Sequence, residues 1–70
     1  MDEQTGLVHL GETFRQVRER RRVSIADLAA VTGIDRGQIS ELEAGHLDPT
    51  YDVLLALADG LRVRPSAFMA

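Results

Sequence analysis

The chain has no cysteine and no lysine. Without thiols, no disulfide can staple the fold and no thiolate metal site can form. The two histidines, His9 and His46, stand far apart with no ligand spacing between them, so no metal is expected. No apolar run approaches the roughly 20 residues of a membrane span, and the acidic start Met1-Asp2-Glu3-Gln4 is unlike a secretory signal. A cytoplasmic protein with no membrane partner is the expectation. Phosphate-binding glycine loops, nucleophile elbows and acid–base constellations are also absent, so neither an enzyme nor a cofactor is expected. Seventy residues make one domain at most, and at that size only about 60–65% of the chain's surface can be buried. That leaves a thin stability margin and no room for a separate sensing domain, so no small-molecule ligand is expected.

What is present fits a folded domain: 44% hydrophobic and 27% charged residues. The net charge of −3 argues against nucleic acid, but its distribution is uneven. Residues 13–22 hold Arg15, Arg18, Arg20, Arg21 and Arg22 against Glu19 alone. Acidic stretches flank this positive island, which reads either as a solvated helix end or as a phosphate contact.

Apolar spacing and capping residues predict helices throughout. Leu10, Phe14, Val17 and Arg21 fall on one face of a helix over Leu10–Arg21. Ser24 caps a second helix, Ile25–Val31, with Asp27 three residues on, and Gly33 allows a left-handed turn. The same grammar repeats with Asp35, Gln38 and Gly45 around a third helix, Arg36–Ala44. Two short helices joined by a glycine turn form a unit with few alternative uses. Thr50 caps a fourth helix with the stripe Val53, Leu54, Leu57, Ala58 and Leu61, and Pro65 opens a short fifth, Ser66–Met69. No segment alternates with period two. The expectation is an all-α fold of five helices over residues 10–70, preceded by a flexible extension, residues 1–9.

Residues 25–44 resemble the helix-turn-helix of the Cro/C1-type, xenobiotic-response-element-like regulators. The likeness extends from Leu10 to Met69 through Ala29, Gly33, Ile34, Ile39, Leu42, the Arg18 and Glu43 pair, Pro49-Thr50, and the ending Val63-Arg64-Pro65-Ser66-Ala67-Phe68. The stretch Asp35-Arg36 to Ile39-Ser40 is similar to controller proteins of restriction-modification systems. The resemblance implies a lambda-repressor-like domain with its motif on helices two and three. It also implies double-stranded DNA as the partner. In such a motif the third helix enters the major groove.

The outward face of that helix holds Arg36, Gly37, Gln38, Ser40 and Glu41. Arg36 can grip guanine at O6 and N7, and Ser40 can bond base or phosphate. Gly37 lets the backbone come close. Gln38 serves as an adenine reader or as a cap, and Glu41 as a cytosine reader or a solvated acid. The second helix presents unpaired amides at Ser24 and Ile25, suited to a phosphate. The resemblance adds Arg18, His46 and Thr50 as phosphate contacts and makes Arg18–Glu43 a shielded pair. Ile25 stands where these regulators usually carry a glutamine, and His46-Leu47-Asp48 where basic residues and asparagine are common. With those donors gone, a single copy is expected either to bind DNA weakly or to lean on Arg15, Arg20, Arg21 and Arg22. Arginine also replaces glycine at Arg22 and Arg62, near two helix ends. Either those ends are built differently, or a phosphate or acidic partner offsets the strain.

A chain this small offers few base contacts, so a homodimer on a palindromic operator is expected. Leu61, Val63, Phe68 and Met69 are its expected interface, with Phe68 alone reading equally well as a residue that closes the core of a single chain. The function expected is a sequence-specific transcriptional regulator. The alternative is a protein-interaction module, such as an antitoxin or anti-regulator, using the acidic Glu41, Asp48 and Asp52.

Overall fold

Three short polar side chains divide the chain into its helices. The computed structural model describes residues 3–69, with α1 over Glu3–Arg20, α2 over Ile25–Thr32, α3 over Arg36–Glu43 and α4 over Tyr51–Leu61. No strand occurs among the described residues. The Ser24 hydroxyl accepts from the Asp27 amide at 3.0 Å. The Asp35 carboxylate accepts from Gly37 at 2.9 Å and from Gln38 at 3.3 Å. The Thr50 hydroxyl accepts from Val53 at 3.2 Å. Each cap satisfies donors that a first helical turn leaves unpaired, worth about 1 kcal/mol apiece.

Two boundaries differ from the sequence expectation. The fifth element is a 3-10 turn, Pro65–Phe68, so the described residues hold four α-helices rather than five. Its bonds run from Ala67 to the Arg64 carbonyl and from Met69 to the Ser66 carbonyl, three residues back, the spacing of the tighter 3-10 form. In addition, α1 begins at Glu3, seven residues before Leu10. Residues 1 and 2 of the expected extension lie outside the described residues. Val8 explains part of the longer helix: it lies against Gly45, beyond the end of α3. Sequence periodicity does not reveal such a long-range contact.

The core consists of Phe14, Val17, Leu28, Ile39, Leu42, Leu57, Ala58, Leu61 and Phe68. The rings of Phe14 and Phe68 meet at 5.4 Å in a tilted arrangement. This corrects the expected interface between copies. Leu61 and Phe68 are 1% and 3% exposed within a single chain and have no surface to offer a partner. Val63 is half-buried, and Met69 is 65% exposed.

Helices α1 and α4 end alike. Arg22 and Arg62 both adopt a left-handed φ of 58°. Arg22 donates to the Glu19 carbonyl at 3.0 Å and Val23 to that of Arg18 at 3.2 Å; the matching bonds at α4 join Arg62 to Asp59 at 3.1 Å and Val63 to Ala58 at 3.0 Å. This closure usually places glycine in the left-handed position. The two ends are therefore of the ordinary kind, and each arginine takes on the strain. Arg21 Nε donates to the Leu61 carbonyl at 3.0 Å and ties the ends together.

Helix α1 crosses the end of α3 at Gly11. A Cβ there would collide with the Leu42 carbonyl oxygen and stand 2.7 Å from that of Glu43. Gly45 repeats the close approach: its φ is 79°, and a Cβ would lie 2.9 Å from the Val8 Cα.

Two sets of substitutions test this reading. Gly11→Ala should lower stability by about 1–3 kcal/mol through overpacking. Gly6→Ala, in the same helix with open space around it, should instead raise stability by about 1 kcal/mol. If both raise the melting temperature, the crossing is not as close as described. Arg22→Gly and Arg62→Gly should each add about 1 kcal/mol by relieving the left-handed strain. That corresponds to a rise of roughly 4–8 °C in a thermal melt.

Candidate nucleic-acid interface

The turn between α2 and α3 sets the angle at which α3 leaves the domain. Gly33, with φ 77°, sends its amide back to the Ala29 carbonyl at 2.8 Å. The Thr32 hydroxyl donates to the Leu28 carbonyl at 2.7 Å and accepts from the Ile34 amide at 3.1 Å. Ile34 packs against the core. Beyond it Ile39 and Leu42 bury one face of α3, and Arg36, Gly37, Gln38, Ser40 and Glu41 are left exposed. A shallow depression lined by Ile25, Ala26, Arg36, Gly37 and Ser40 joins the start of α2 to that face. The structure thus brings together the helix start that presents free amides and the first turns of α3.

The individual residues divide by what already holds them. No hydrogen bond or ion pair within the chain engages the Arg36 side chain among the described residues. Gly37 lies under the Asp35 cap, whose carboxylate oxygen would be 2.8 Å from an added Cβ. Gln38 receives that same cap at its amide, and its side chain stays exposed. Glu41 faces His46, with Oε2 3.3 Å from Nδ1, an exposed pair that is ionic only when the imidazole is protonated. Ser24 and Thr50 accept cap bonds through their hydroxyl oxygens and keep a proton to donate. Arg15 lies 3.7 Å from Glu19, one turn along α1, in an exposed pair of little energetic weight.

Arg18 is half-buried, whereas the other arginines are exposed. Its Nε donates to Glu43 Oε2 at 2.6 Å and its Nη2 to Oε1 at 3.2 Å, while Nη1 donates to the Val23 carbonyl at 2.8 Å. The two side chains are only 14% and 10% exposed. The hydrogen bond to Glu43 raises the guanidinium pKa above its ordinary value, against the opposing effect of burial. One residue of α1 thereby holds both the end of α3 and the segment that leads into α2. All three nitrogens face protein oxygens, and three of the five N–H donors of the guanidinium are engaged within the chain.

Several of these roles had no readable signal in the sequence. Thr32 looks like an ordinary helix-end residue until its hydroxyl is seen bridging the turn. Gly11 sits inside an amphipathic helix, where only its neighbour across the crossing shows why it is glycine. Arg21 reads as part of the positive island, yet its Nε is held at the end of α4.

Residues 9–67 match the family model described as "Helix-turn-helix domain". The chain is 33% identical over 61 residues to the HTH-type transcriptional regulator SutR of Escherichia coli K12; the match covers 87% of this chain and 34% of that protein. The chain therefore spans about a third of that relative's length. The fold is similar to that of the restriction-modification controller protein C.AhdI from Aeromonas hydrophila. That match has a TM-score of 0.88 and 28% identity, covering 91% of this chain and 97% of the other. A second controller protein, C.Esp1396I, solved as a tetramer with its natural 35 base-pair operator, superposes with a TM-score of 0.81 at 25% identity, covering 90% and 83% of the two chains.

The inward fork of Arg18 makes a prediction. Glu43→Ala strands a shielded charge and should cost about 3–5 kcal/mol, enough to unfold much of a domain this small. Replacing both partners, Arg18→Met with Glu43→Leu, should cost less than that single change, because no charge remains to be desolvated. Denaturant melts of the two variants decide the point. A double variant less stable than Glu43→Ala would mean that the pair contributes net attraction rather than placement.

Proposed function

Because the chain belongs to the helix-turn-helix domain family, we propose that it is a transcriptional regulator that binds DNA sequence-specifically, as a homodimer on a two-fold symmetric operator. The observation that carries this reading is the exposed outer face of α3, continuous with the free amides at the start of α2. A helix anchored by one face and bare on the other can lie in a major groove about 12 Å wide. Arg36 opens α3 and donates to guanine O6 and N7. Ser40 bonds a base edge or a phosphate, Gln38 reads adenine, and Gly37 admits the duplex closely. Glu41 accepts from a cytosine amino group once it leaves His46. The Ser24 hydroxyl, the Ile25 amide, the Thr50 hydroxyl and His46 bind phosphates around this helix, with Arg15 and Arg22 reaching the sugar-phosphate rim. Arg18 engages three of its five N–H donors with Glu43 and Val23 and reaches a phosphate with the remaining ones.

The operator-bound tetramer of C.Esp1396I supports assembly of several copies along one site. Two half-sites roughly 34 Å apart would double the few base pairs that one α3 can read. With Leu61 and Phe68 in the core, the interface rests on Val63 and the exposed Met69. Met69→Asp should therefore give a monomer that keeps its helical circular dichroism and melts lower only by the stabilisation that the dimer adds. Phe68→Asp should unfold the chain, because it places a charge in the core. Light scattering of the wild type at micromolar concentration should report near twice 7.7 kDa; a wild-type monomer at high concentration defeats the dimer.

Salt-dependent binding separates readers from anchors. Arg36→Ala should lose about 1–3 kcal/mol of discrimination at one base pair in each half-site. Arg15→Ala and Arg22→Ala should weaken operator and scrambled DNA alike, and lower the salt slope by about one unit for each phosphate left without its arginine. Equal weakening of both DNAs by Arg36→Ala would make Arg36 a phosphate anchor. If the wild type binds neither DNA in dilute salt, the interaction-module reading, with its acidic Glu41, Asp48 and Asp52, takes over.

A further inference from the structure

The end of α3 touches Glu41 twice through one residue. Gly45, with φ 79°, reverses the chain, and the His46 amide then donates to the Glu41 carbonyl at 2.9 Å. This closure is usual where a helix ends on a left-handed glycine. It brings the His46 side chain back to α3, where Nδ1 lies 3.3 Å from Glu41 Oε2. The backbone bond does not depend on the side chain, so the imidazole stands beside Glu41 whatever its charge.

Glu41 belongs to the exposed face of α3. Gly37 lies one turn earlier on that face and has no side chain, and the Cα–Cβ bonds of a helix lean in that direction. Glu41 therefore has two directions open to it. One leads over the first turns of α3, and the other leads back to His46 beyond the helix end. Protonation of His46 decides between them. An imidazolium carries a proton on both nitrogens, so Nδ1 makes a charge-assisted bond to the carboxylate and Nε2 stays available for a phosphate. The negative end of the α3 dipole favours that cation. A neutral imidazole carries one proton and no charge, and the attraction that draws Glu41 back is lost.

Among the described residues, Glu41 is the one acid in ion-pair contact with His46. Of the other titratable groups on the surrounding elements, Glu43 is held by Arg18. Asp48 lies two residues along the same loop, and His9 and Glu12 stand on α1, which meets Gly45 at Val8.

We infer that His46 is a positioning residue for Glu41, and that its protonation sets how strongly the α3 face selects sequence. Protonated, it holds Glu41 back and cancels its charge, so every duplex binds more tightly and preference at the base pair read by Glu41 is weakened. Neutral, it frees Glu41 to accept from a cytosine amino group. This selectivity rests on the DNA-binding reading. It rises with pH between about pH 5 and 8, the interval over which an ordinary imidazole loses its charge. The exposure of the pair limits the effect to about fivefold.

The test selects bound duplexes from a random-sequence pool at both ends of that interval. In the wild type, preference for one G·C pair of the selected sequence should be up to about fivefold stronger at the high end. His46→Gln, never charged, should keep the strong preference at both ends. His46→Arg, always charged, should show the weak one at both. Glu41→Gln should lose the pH dependence at that pair, and His9→Gln should behave as the wild type. An equal wild-type preference at both ends overturns the inference, as does a pH dependence that survives in His46→Gln. Carbon NMR of the free protein checks the contact without DNA. The Glu41 side-chain carboxyl signal should step through the imidazole interval in the wild type and not in His46→Gln. Absence of that step overturns the inference even where DNA binds. A step without binding of any duplex overturns the DNA-binding reading, and the selectivity with it, while the contact itself stands.

Discussion

The placement of α3 depends on one crossing. An eight-residue helix is too short to hold its own shape in water, so its direction must come from what it packs on. Gly11 allows the α1 backbone to touch the carbonyl end of α3, and Arg18 then bonds Glu43 across that junction. A shielded ion pair contributes little net stability, because desolvation offsets most of the attraction. Its worth here is geometric. The third nitrogen of Arg18 holds the Val23 carbonyl, so the entry to α2 and the end of α3 share one planar group. Rotation of either helix would break a directed hydrogen bond and leave a charge unpaired.

The same crossing sorts the positive island by task. Of the five arginines between residues 13 and 22, Arg18 is turned inward and Arg21 is held by the Leu61 carbonyl. Arg15 shares its charge with Glu19. Arg20 and Arg22 are exposed, and Arg22 also bears a left-handed backbone. A net charge summed over the chain hides this division, and so does a count over the segment. On the proposed reading, a nucleic acid would meet the outward subset and an α3 face that carries one arginine and one glutamate.

Local features were legible in the sequence because they involve residues three or four apart. Ser24, Asp35 and Thr50 cap their helices, Gly33 and Gly45 take left-handed turns, and Phe14, Val17, Ile39 and Leu42 point inward as their spacing implied. The exposed face of α3 followed from the same periodicity. Features that depend on distant partners were not legible. Leu61 and Phe68 are apolar, and composition cannot distinguish a residue that covers Phe14 from one that covers a second copy. The N-terminal reach of α1 depends on Gly45, and the need for glycine at Gly11 depends on the carbonyls of Leu42 and Glu43. The strain at Arg22 and Arg62 was visible only as a choice between two ways of ending a helix.

The order in which the helices touch has a further consequence. Consecutive helices α2 and α3 pack together, but α1 reaches past α2 to α3, and α2 reaches past α3 to α4. The two-helix motif is thus wedged between elements that precede and follow it, and each outer helix supports the member of the motif farther from it in sequence. Residues 24–45 cut out of this setting would keep only the interface between α2 and α3, two eight-residue helices that are each below the length at which an isolated helix persists. The motif is therefore not a portable cassette. Grafting it onto another scaffold would require transplanting the crossing glycine, the inward arginine and a fourth helix along with it.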